Sequence, residues 1–477
     1  MVDGQQRLTT FVILLKALEK ALSPDVSGEA KIKREIGELL VKGDDHSLVL
    51  LQTNHDSSSV FTDYVRQGTI RRDEPETAAD RNLIAAAREC EDFVEKWKSK
   101  ATLIDLVALL RNRLSLIYHE LNDEASVYRV FEVLNSRGLD VKWIDKLKSQ
   151  LMALIFTNID SGTRSEALKE MQVVWQDIYR TLGMRGELGD EALSFTGTWK
   201  SPTRPNKLVG QSVAASVLTN AAGTELHSIS QVANRLKLVV VAVAKLDSNV
   251  RLSAVTQIGH ARFLAVSILL RKFPEQTEKR LLGLWERITF RIFGLGGADS
   301  RSKVGGYVRL GYDVGLGLIS EKEVQKSLET LGESCKIDAA MKDVDWNECY
   351  YNWAEELRYI LFRYDEFLAD KAGEKINSLQ WAKIWQVDQS KSIEHVQPQS
   401  SGEEYIHHLG NLTMLAPGIN SSLKDRPPKE KASVYVQSGL RGTIEVGLGI
   451  EKKKWDKAAV LLRADDIQKF IQKEWAD

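Results

Sequence analysis

The C-terminal part of the chain reads SIEHVQP at residues 392–398 and LGNLTML at residues 409–415, followed by Asn420. Both are short apolar runs interrupted by Gly or Pro, which is typical of short strands. Fifteen residues separate His395 from Asn411, and eight separate Asn411 from Asn420. This spacing predicts a β-hairpin followed by a helix, with Glu394, His395, Asn411 and Asn420 converging at one end.

These four residue types suit the hydrolysis of a phosphodiester, which needs an activated water and stabilised charge on the phosphate. A neutral imidazole can take the proton of a water near neutral pH, so His395 is the candidate general base. Glu394 points to the opposite side of the strand, where its carboxylate could bind Mg²⁺ together with the carbonyl of Asn420. Asn411 could tie the two strands together by bonding backbone groups. We therefore predict His395 and Asn411 as catalytic residues and Glu394 and Asn420 as metal ligands.

Basic residues follow the hairpin. From residue 424 to residue 454, Lys and Arg outnumber Asp and Glu by eight to four. We predict that Lys424, Lys429 and Lys431 contact a DNA backbone, with a solvated charged face as the alternative. His407 and His408 lie in the segment that connects the two strands; we expect a solvent-exposed loop there, with metal binding as the alternative.

Composition limits the class of protein. The chain has 477 residues, 43% of them hydrophobic, and a net charge of −1, so any contact with nucleic acid must come from a local patch. It has no apolar run near the ~20 residues of a membrane span and no leader typical of a signal peptide. Its three cysteines form no CxxC pair, which argues against a zinc ribbon. We predict a cytoplasmic protein without membrane contact.

The N-terminus carries a second motif, DGQQRLTT at residues 3–10, which runs into an amphipathic helical pattern ending at Ser23-Pro24. A helix start offers free N–H groups to a phosphate. Arg7 could bind the same phosphate, Gln5 and Gln6 could supply hydrogen bonds, and Asp3 could hold a metal or a water. The alternative is an Asp N-cap with a polar first turn.

A third motif, FEVLNSRG, occupies residues 131–138. Its Gly fits a C-cap between two packed helices.

The three motifs together resemble the GmrSD-like family of bacterial restriction proteins. DGQQRLTT is similar to the signature of the family's DGQQR-type domain, FEVLNSRG to its second motif, and EHxxP with GNLxxL to the HNH nuclease motif of its C-terminal domain. The resemblance implies a ParB-like nucleotide-binding fold, in which the phosphates of an NTP are lined by Asp3, Gly4, Gln5, Gln6 and Arg7. By the same resemblance, Asn135 and Arg137 of the second motif would approach the nucleotide. It also implies His395 as general base, Glu394 and Asn420 on a metal, and Asn411 as the residue that braces the hairpin. In the family a strand-rich segment precedes the first motif, so we expect an N-terminally incomplete domain.

We thus predict a mainly α fold with α+β parts, in three domains. Residues 1–156 would form a truncated ParB-like NTP-binding domain, residues 157–380 a helical middle region, and residues 381–477 a ββα-metal (HNH) nuclease domain.

The predicted function is a Mg²⁺- or Mn²⁺-dependent HNH DNA endonuclease of a modification-dependent antiphage restriction system. Its partners would be DNA, in particular modified phage DNA, and a nucleoside triphosphate bound by the regulatory N-terminal region. Two alternatives remain open, a non-cleaving NTP-binding regulatory or DNA-sensing protein and an inactive truncated remnant. A homo-oligomer is equally open.

Overall fold

A computed structural model describes residues 5–41, 58–69, 75, 77–115 and 142–477. The described chain is mainly helical, with a single two-stranded sheet among these residues. The prediction of a mainly α protein is therefore confirmed. Among the described helices, none combines the length and the apolar character needed to cross a membrane.

The chain forms two compact units, and the division into three domains stays a prediction. The first contains Met1–Pro202 and Leu208–Ala244, and the second contains Thr203–Lys207 and Lys245–Asp477. The predicted boundaries at residues 156 and 380 each fall inside one of these units. The helices of the middle region thus divide between the two units, because some pack with the N-terminal helices and others with the C-terminal hairpin.

The N-terminal unit is built from helices. They are α1 (Gln5–Ala21), α2 (Ser27–Leu40), α3 (Ser58–Gln67), α4 (Ala78–Trp97), α5 (Leu103–Arg113), α6 (Trp143–Asn158), α7 (Ser161–Leu182), α8 (Glu187–Trp199), α9 (Gln211–Ala222) and most of α10 (Leu226–Ser248). The predicted amphipathic pattern buries Leu18 and Leu22 in the core shared by α1 to α5. Thr77 and Thr102 each form a capping box with the Asp three residues later, and this fixes the starts of α4 and α5.

The C-terminal unit surrounds the hairpin with further helices. They are α11 (Val250–Ser253), α12 (Gly259–Leu270), α13 (Glu275–Phe290), a π-helical turn (Arg291–Leu295), α14 (Val304–Leu316), α15 (Glu321–Gly332), α16 (Ile337–Lys342), α17 (Cys349–Asn352), α18 (Ala354–Lys371) and α19 (Ser378–Trp385). After the hairpin come α20 (Pro417–Leu423), α21 (Pro428–Val436), α22 (Arg441–Lys452) and α23 (Lys457–Glu474). Glu286 on α13 is buried and accepts hydrogen bonds from Tyr359 and Arg363 on α18, so a charged network joins these two helices.

The hairpin consists of β1 (Ile393–His395) and β2 (Leu412–Met414), which pair antiparallel with Glu394 opposite Thr413. A 3₁₀ turn at Leu409–Asn411 leads into β2 and packs against α23. There Gly410 permits a close backbone approach, since a Cβ at this position would lie 1.9 Å from the carbonyl oxygen of Val460. Leu415, Leu423 and Tyr435 pack together beyond the strands, so the hairpin, α20 and α21 share one core.

Candidate active site

Glu394 and His395 are neighbours in β1, and their side chains therefore point to opposite faces of the hairpin. Both are buried, with 6% and 7% of their surface exposed. Two different environments thus surround the candidate metal ligand and the candidate base.

The imidazole of His395 lies in a cluster of polar and aromatic side chains. Its Nε2 is 3.1 Å from Nδ1 of His407, and its Nδ1 is 3.2 Å from Nε2 of Gln399. The ring of Tyr350 meets it edge-on, with 4.5 Å between centroids. Burial, followed by the nearby His407 and Lys431, lowers the pKa of His395 to about 3. The ring is therefore neutral at physiological pH.

His407 and His408 do not lie in a solvated loop, contrary to our expectation. His407 is half-buried and stacks on Tyr350, with 5.6 Å between centroids and 17° between ring planes. His408 is buried, and its Nδ1 accepts a hydrogen bond from the Gly410 amide. This burial could not be predicted from the sequence, because Tyr350 is distant from His407 in the chain. The periodicity of a helix or strand does not indicate such a contact.

Glu394 faces the interior helices on the other side of the hairpin. Its Oε1 is 2.8 Å from Nζ of Lys431 and accepts a hydrogen bond of 2.7 Å from the Tyr435 hydroxyl. Burial raises the pKa of Glu394, and the bonds from Lys431 and Tyr435 oppose this effect. Among the described residues, no group donates a hydrogen bond to Oε2, the other carboxylate oxygen.

Lys431 is placed differently from our prediction that it contacts DNA. Only 1% of its surface is exposed, and its ammonium also donates to the carbonyl oxygen of His395 at 2.7 Å. It lies four residues before Tyr435 on α21, on the helix face that packs inward. Lys431 is therefore a buried partner of β1. It forms an ion pair with Glu394 and a hydrogen bond with the backbone of His395.

Asn411 bridges the two arms of the hairpin. It is fully buried, and its Oδ1 accepts from the Gln397 amide at 2.8 Å and from Nε1 of Trp455 at 3.1 Å. Its Nδ2 donates to the carbonyl oxygens of Gln397 and Ile406. The side chain thus joins the residues after β1 to the turn before β2.

Asn420 lies on α20 beside β1. Its Nδ2 donates to the carbonyl oxygens of Lys391, at 3.0 Å, and Ile393, at 3.3 Å, which leaves Oδ1 as the atom that a ligand could use. Mg²⁺ is commonly held by one or two oxygens from the protein together with several waters. Glu394 Oε2 and Asn420 Oδ1 are each an oxygen of the kind that binds Mg²⁺. Over residues 5–41, 58–69, 77–115 and 142–477, no three His, Cys, Asp or Glu side chains gather around a single position as in a zinc site.

Two of the three lysines predicted to contact DNA are exposed. Lys424 directly follows α20, and Lys429 is the second residue of α21. Arg426 between them is exposed as well. The acidic residues Asp425 and Glu430 are exposed among them, so segment 424–430 carries three basic and two acidic side chains.

Most of the residues predicted to bind nucleotide lie outside the described residues. This applies to Asp3, Gly4, Asn135 and Arg137, and the side chain of Gln5 is not described. Gln6 and Arg7 are exposed in the first turn of α1, which contains no acidic residue.

Two family models match the chain. One, described as the N-terminal domain of the GmrSD restriction endonuclease, matches residues 1–152. The other, described as the C-terminal domain of GmrSD restriction endonucleases, matches residues 336–470, which include the whole hairpin and its partners Tyr350, Lys431 and Trp455. Together the two matches span more than half of the chain. A comparison with curated proteins gives no match.

Proposed function

Because the chain belongs to the GmrSD family of restriction endonucleases, we propose that its C-terminal hairpin is an HNH-type site that hydrolyses phosphodiester bonds of DNA. The observation that carries this proposal is the neutral imidazole of His395 on a short hairpin, with Glu394 on the opposite face and Asn420 on the helix that follows.

In the proposed reaction His395 acts as the general base. Its imidazole takes a proton from a water as the water oxygen bonds to phosphorus, and the bond from phosphorus to the leaving oxygen breaks. The leaving oxygen takes a proton from solvent. Asn411 and Lys431 do not touch the reacting atoms; they hold the backbone on both sides of His395 in place.

A divalent cation, Mg²⁺ or Mn²⁺, would stabilise the negative charge that develops on the phosphate oxygens. Glu394 Oε2 and Asn420 Oδ1 are the atoms that would hold it. Lys431 and Tyr435 orient the carboxylate by binding Oε1, which keeps Oε2 available. Replacing Asn420 with Ala should therefore raise the Mg²⁺ concentration needed for half-maximal cutting, while the exposed variant Ser421→Ala should not.

The exposed residues Lys424, Arg426 and Lys429 would contact the DNA backbone near the site. Each phosphate contact adds to the salt dependence of binding. A Lys424→Ala/Lys429→Ala double variant should therefore lose affinity and show a shallower dependence of log K on log salt, by about 1–2 units of slope.

The central test is cleavage by the His395→Ala and His395→Gln variants. A general base contributes about 10²- to 10⁴-fold to rate, so both variants should lose Mg²⁺-dependent cutting by at least roughly 10²-fold with unchanged circular dichroism. His227→Ala is the matched control, since His227 is an exposed histidine on α10. Undiminished cutting by both variants of His395 refutes the assignment. A wild-type chain that binds DNA but cuts none, with either metal and with modified substrates, instead favours a DNA-sensing protein or an inactive remnant.

We also propose that the N-terminal region binds a nucleoside triphosphate that controls cutting, and that the substrate is modified DNA, as in phage restriction. Support comes from the N-terminal family match and from residues 5–7 of the DGQQR motif, which begin α1. Arg7→Ala should weaken binding of a fluorescent NTP analogue, whereas Arg34→Ala, an exposed change on α2, should not. Equal cutting of modified and unmodified DNA would contradict the choice of substrate.

A further inference from the structure

We propose that Lys452, Lys453 and Lys454 form a phosphate-binding strip that holds the DNA backbone beside the hairpin. This inference rests on the proposed function, in which the hairpin hydrolyses DNA, and it adds a contact surface separate from the residues after α20. The strip lies between the end of α22 and the start of α23. It is the longest uninterrupted run of basic residues in the chain.

All three lysines of the strip are exposed. Over the described residues, no carboxylate forms an ion pair with any of them. The lysines of α23 differ in this respect, since Lys457 pairs with Glu404 and Lys469 pairs with Asp465. The charge of the strip is therefore available to an external anion.

The backbone of the strip is held at both ends. The amide of Lys453 donates to the carbonyl oxygen of Gly449 in the last turn of α22, at 3.0 Å. Asp456 caps α23 by accepting a hydrogen bond from the Ala459 amide, so one of the two neighbouring carboxylates is engaged in the fold. Lys453 itself is extended, with φ −142° and ψ 160°. Side chains next to each other in an extended chain diverge, so the strip can reach more than one phosphate.

Trp455 fixes the strip next to the candidate base. Its Nε1 donates to Oδ1 of Asn411 at 3.1 Å, and the same oxygen accepts from the amide of Gln397, two residues after His395. The indole also packs against the core that contains Val396. The peptide that joins the strip to Trp455 is thus one tryptophan side chain away from the residue that braces the hairpin.

A phosphodiester backbone is the partner that fits three adjacent ammonium groups at this place. Each lysine that neutralises a phosphate releases counterions from the nucleic acid, and this binding does not depend on base sequence. A purely structural role is the competing account, because cations at the end of a helix offset its dipole. The two accounts differ in a measurable way, since only the first changes the salt dependence of DNA binding.

The test is fluorescence anisotropy of a labelled DNA duplex with the full chain in EDTA, over a series of salt concentrations. Lys452→Gln/Lys453→Gln/Lys454→Gln should lower the slope of log K against log salt by about 2–3 units and weaken binding at least tenfold at about 0.1 M salt. The corresponding triple change to Arg should keep both the slope and the affinity, because guanidinium also binds phosphate. The thermal unfolding midpoint should stay the same in all variants.

The matched control is Lys272→Gln/Lys322→Gln/Lys326→Gln. These lysines are exposed on α15 and on the turn between α12 and α13, outside the C-terminal family match, and their loss changes the net charge equally. We expect the control to bind DNA with nearly the slope of the wild type. An unchanged slope in the strip variant, an equal loss of slope in the control, or a wild-type chain that does not bind the duplex overturns the proposal. Undiminished cutting by His395→Gln instead refutes the proposed function, and the salt slopes of binding are independent of that result.

Discussion

Replacing Lys431 with Met should destabilise the C-terminal unit strongly. The ammonium of Lys431 is 2.8 Å from Glu394 Oε1 and 2.7 Å from the carbonyl oxygen of His395, in a side chain that is 1% exposed. Removing one partner of a buried ion pair costs about 3–5 kcal/mol, because the remaining charge loses its compensation. Met retains most of the apolar volume, so a cavity contributes little to this figure.

Differential scanning calorimetry measures this effect. For a unit of this size, 1 kcal/mol corresponds to about 2–4 °C, so the transition of the unit should fall by roughly 6–20 °C. Lys429→Met is the matched control, since this lysine is exposed on the same helix and its loss should change the free energy of unfolding by less than about 0.5 kcal/mol. A drop of less than about 2 °C for Lys431→Met would refute the view that the pair supports the fold.

The pH dependence of the same variant provides an independent check. Burial raises the pKa of Glu394, and Lys431 lowers it, so the variant raises this pKa further. A carboxyl group with a raised folded-state pKa contributes stability below its unfolded-state pKa, and this stability is lost as pH rises through the folded-state value. The penalty of Lys431→Met should thus be smaller near pH 4 than near pH 8, while the cost of the lost bond to the His395 carbonyl oxygen remains at both. The double variant Glu394→Gln/Lys431→Met should recover part of the loss at pH 8, and a penalty independent of pH would contradict this account.

Three further predictions concern the hairpin and its surface. Asn411→Ala should lower the free energy of unfolding by about 3 kcal/mol or more in urea, since it leaves several buried backbone groups without partners; a loss below about 1 kcal/mol would contradict the bracing role. Gly410→Ala should cost about 3 kcal/mol because its Cβ would collide with the backbone of α23, whereas Gly418→Ala, with no atom within 4 Å, should be neutral; equal stabilities would show that the close approach is absent. Tyr351, 65% exposed beside His407, offers a ring face for stacking on a nucleotide. By fluorescence anisotropy, Tyr351→Leu should weaken DNA binding roughly tenfold while Tyr351→Phe should not, and equal affinities for the two variants would exclude stacking.

The positions of the hairpin could be predicted from the sequence because local signals mark them. The structure has β1 at Glu394 and His395, ahead of Pro398, and β2 begins one residue after Asn411. The helix carrying Asn420 also follows as expected. Each of these features depends on turn residues and apolar runs a few positions away, which sequence patterns capture well.

The partners of the site could not be predicted in the same way. Tyr350 touches His395 across 45 positions of sequence, and no local pattern indicates this contact. The burial of Lys431, in contrast, is indicated by the sequence pattern of α21. It shares the inward face of α21 with Ala432 and Tyr435, whereas Lys429 lies on the outward face. Charge alone suggested a DNA contact for all three lysines, but helical periodicity distinguishes the buried one.

The shortness of the strands explains why so many buried polar side chains gather around them. Two paired strands of three residues each are not stable alone. Arg463 supplies part of the missing support by donating to the carbonyl oxygens of Gly410 and Leu412, and burial lowers its pKa to about 10. Lys431 does the same at the carbonyl oxygen of His395, and Asn411 joins the two arms. These side chains bond to the backbone of the candidate base and of residues near it in the hairpin. A substitution that weakens one of these bonds should therefore displace His395 before it unfolds the unit. Loss of cutting should then precede loss of secondary structure.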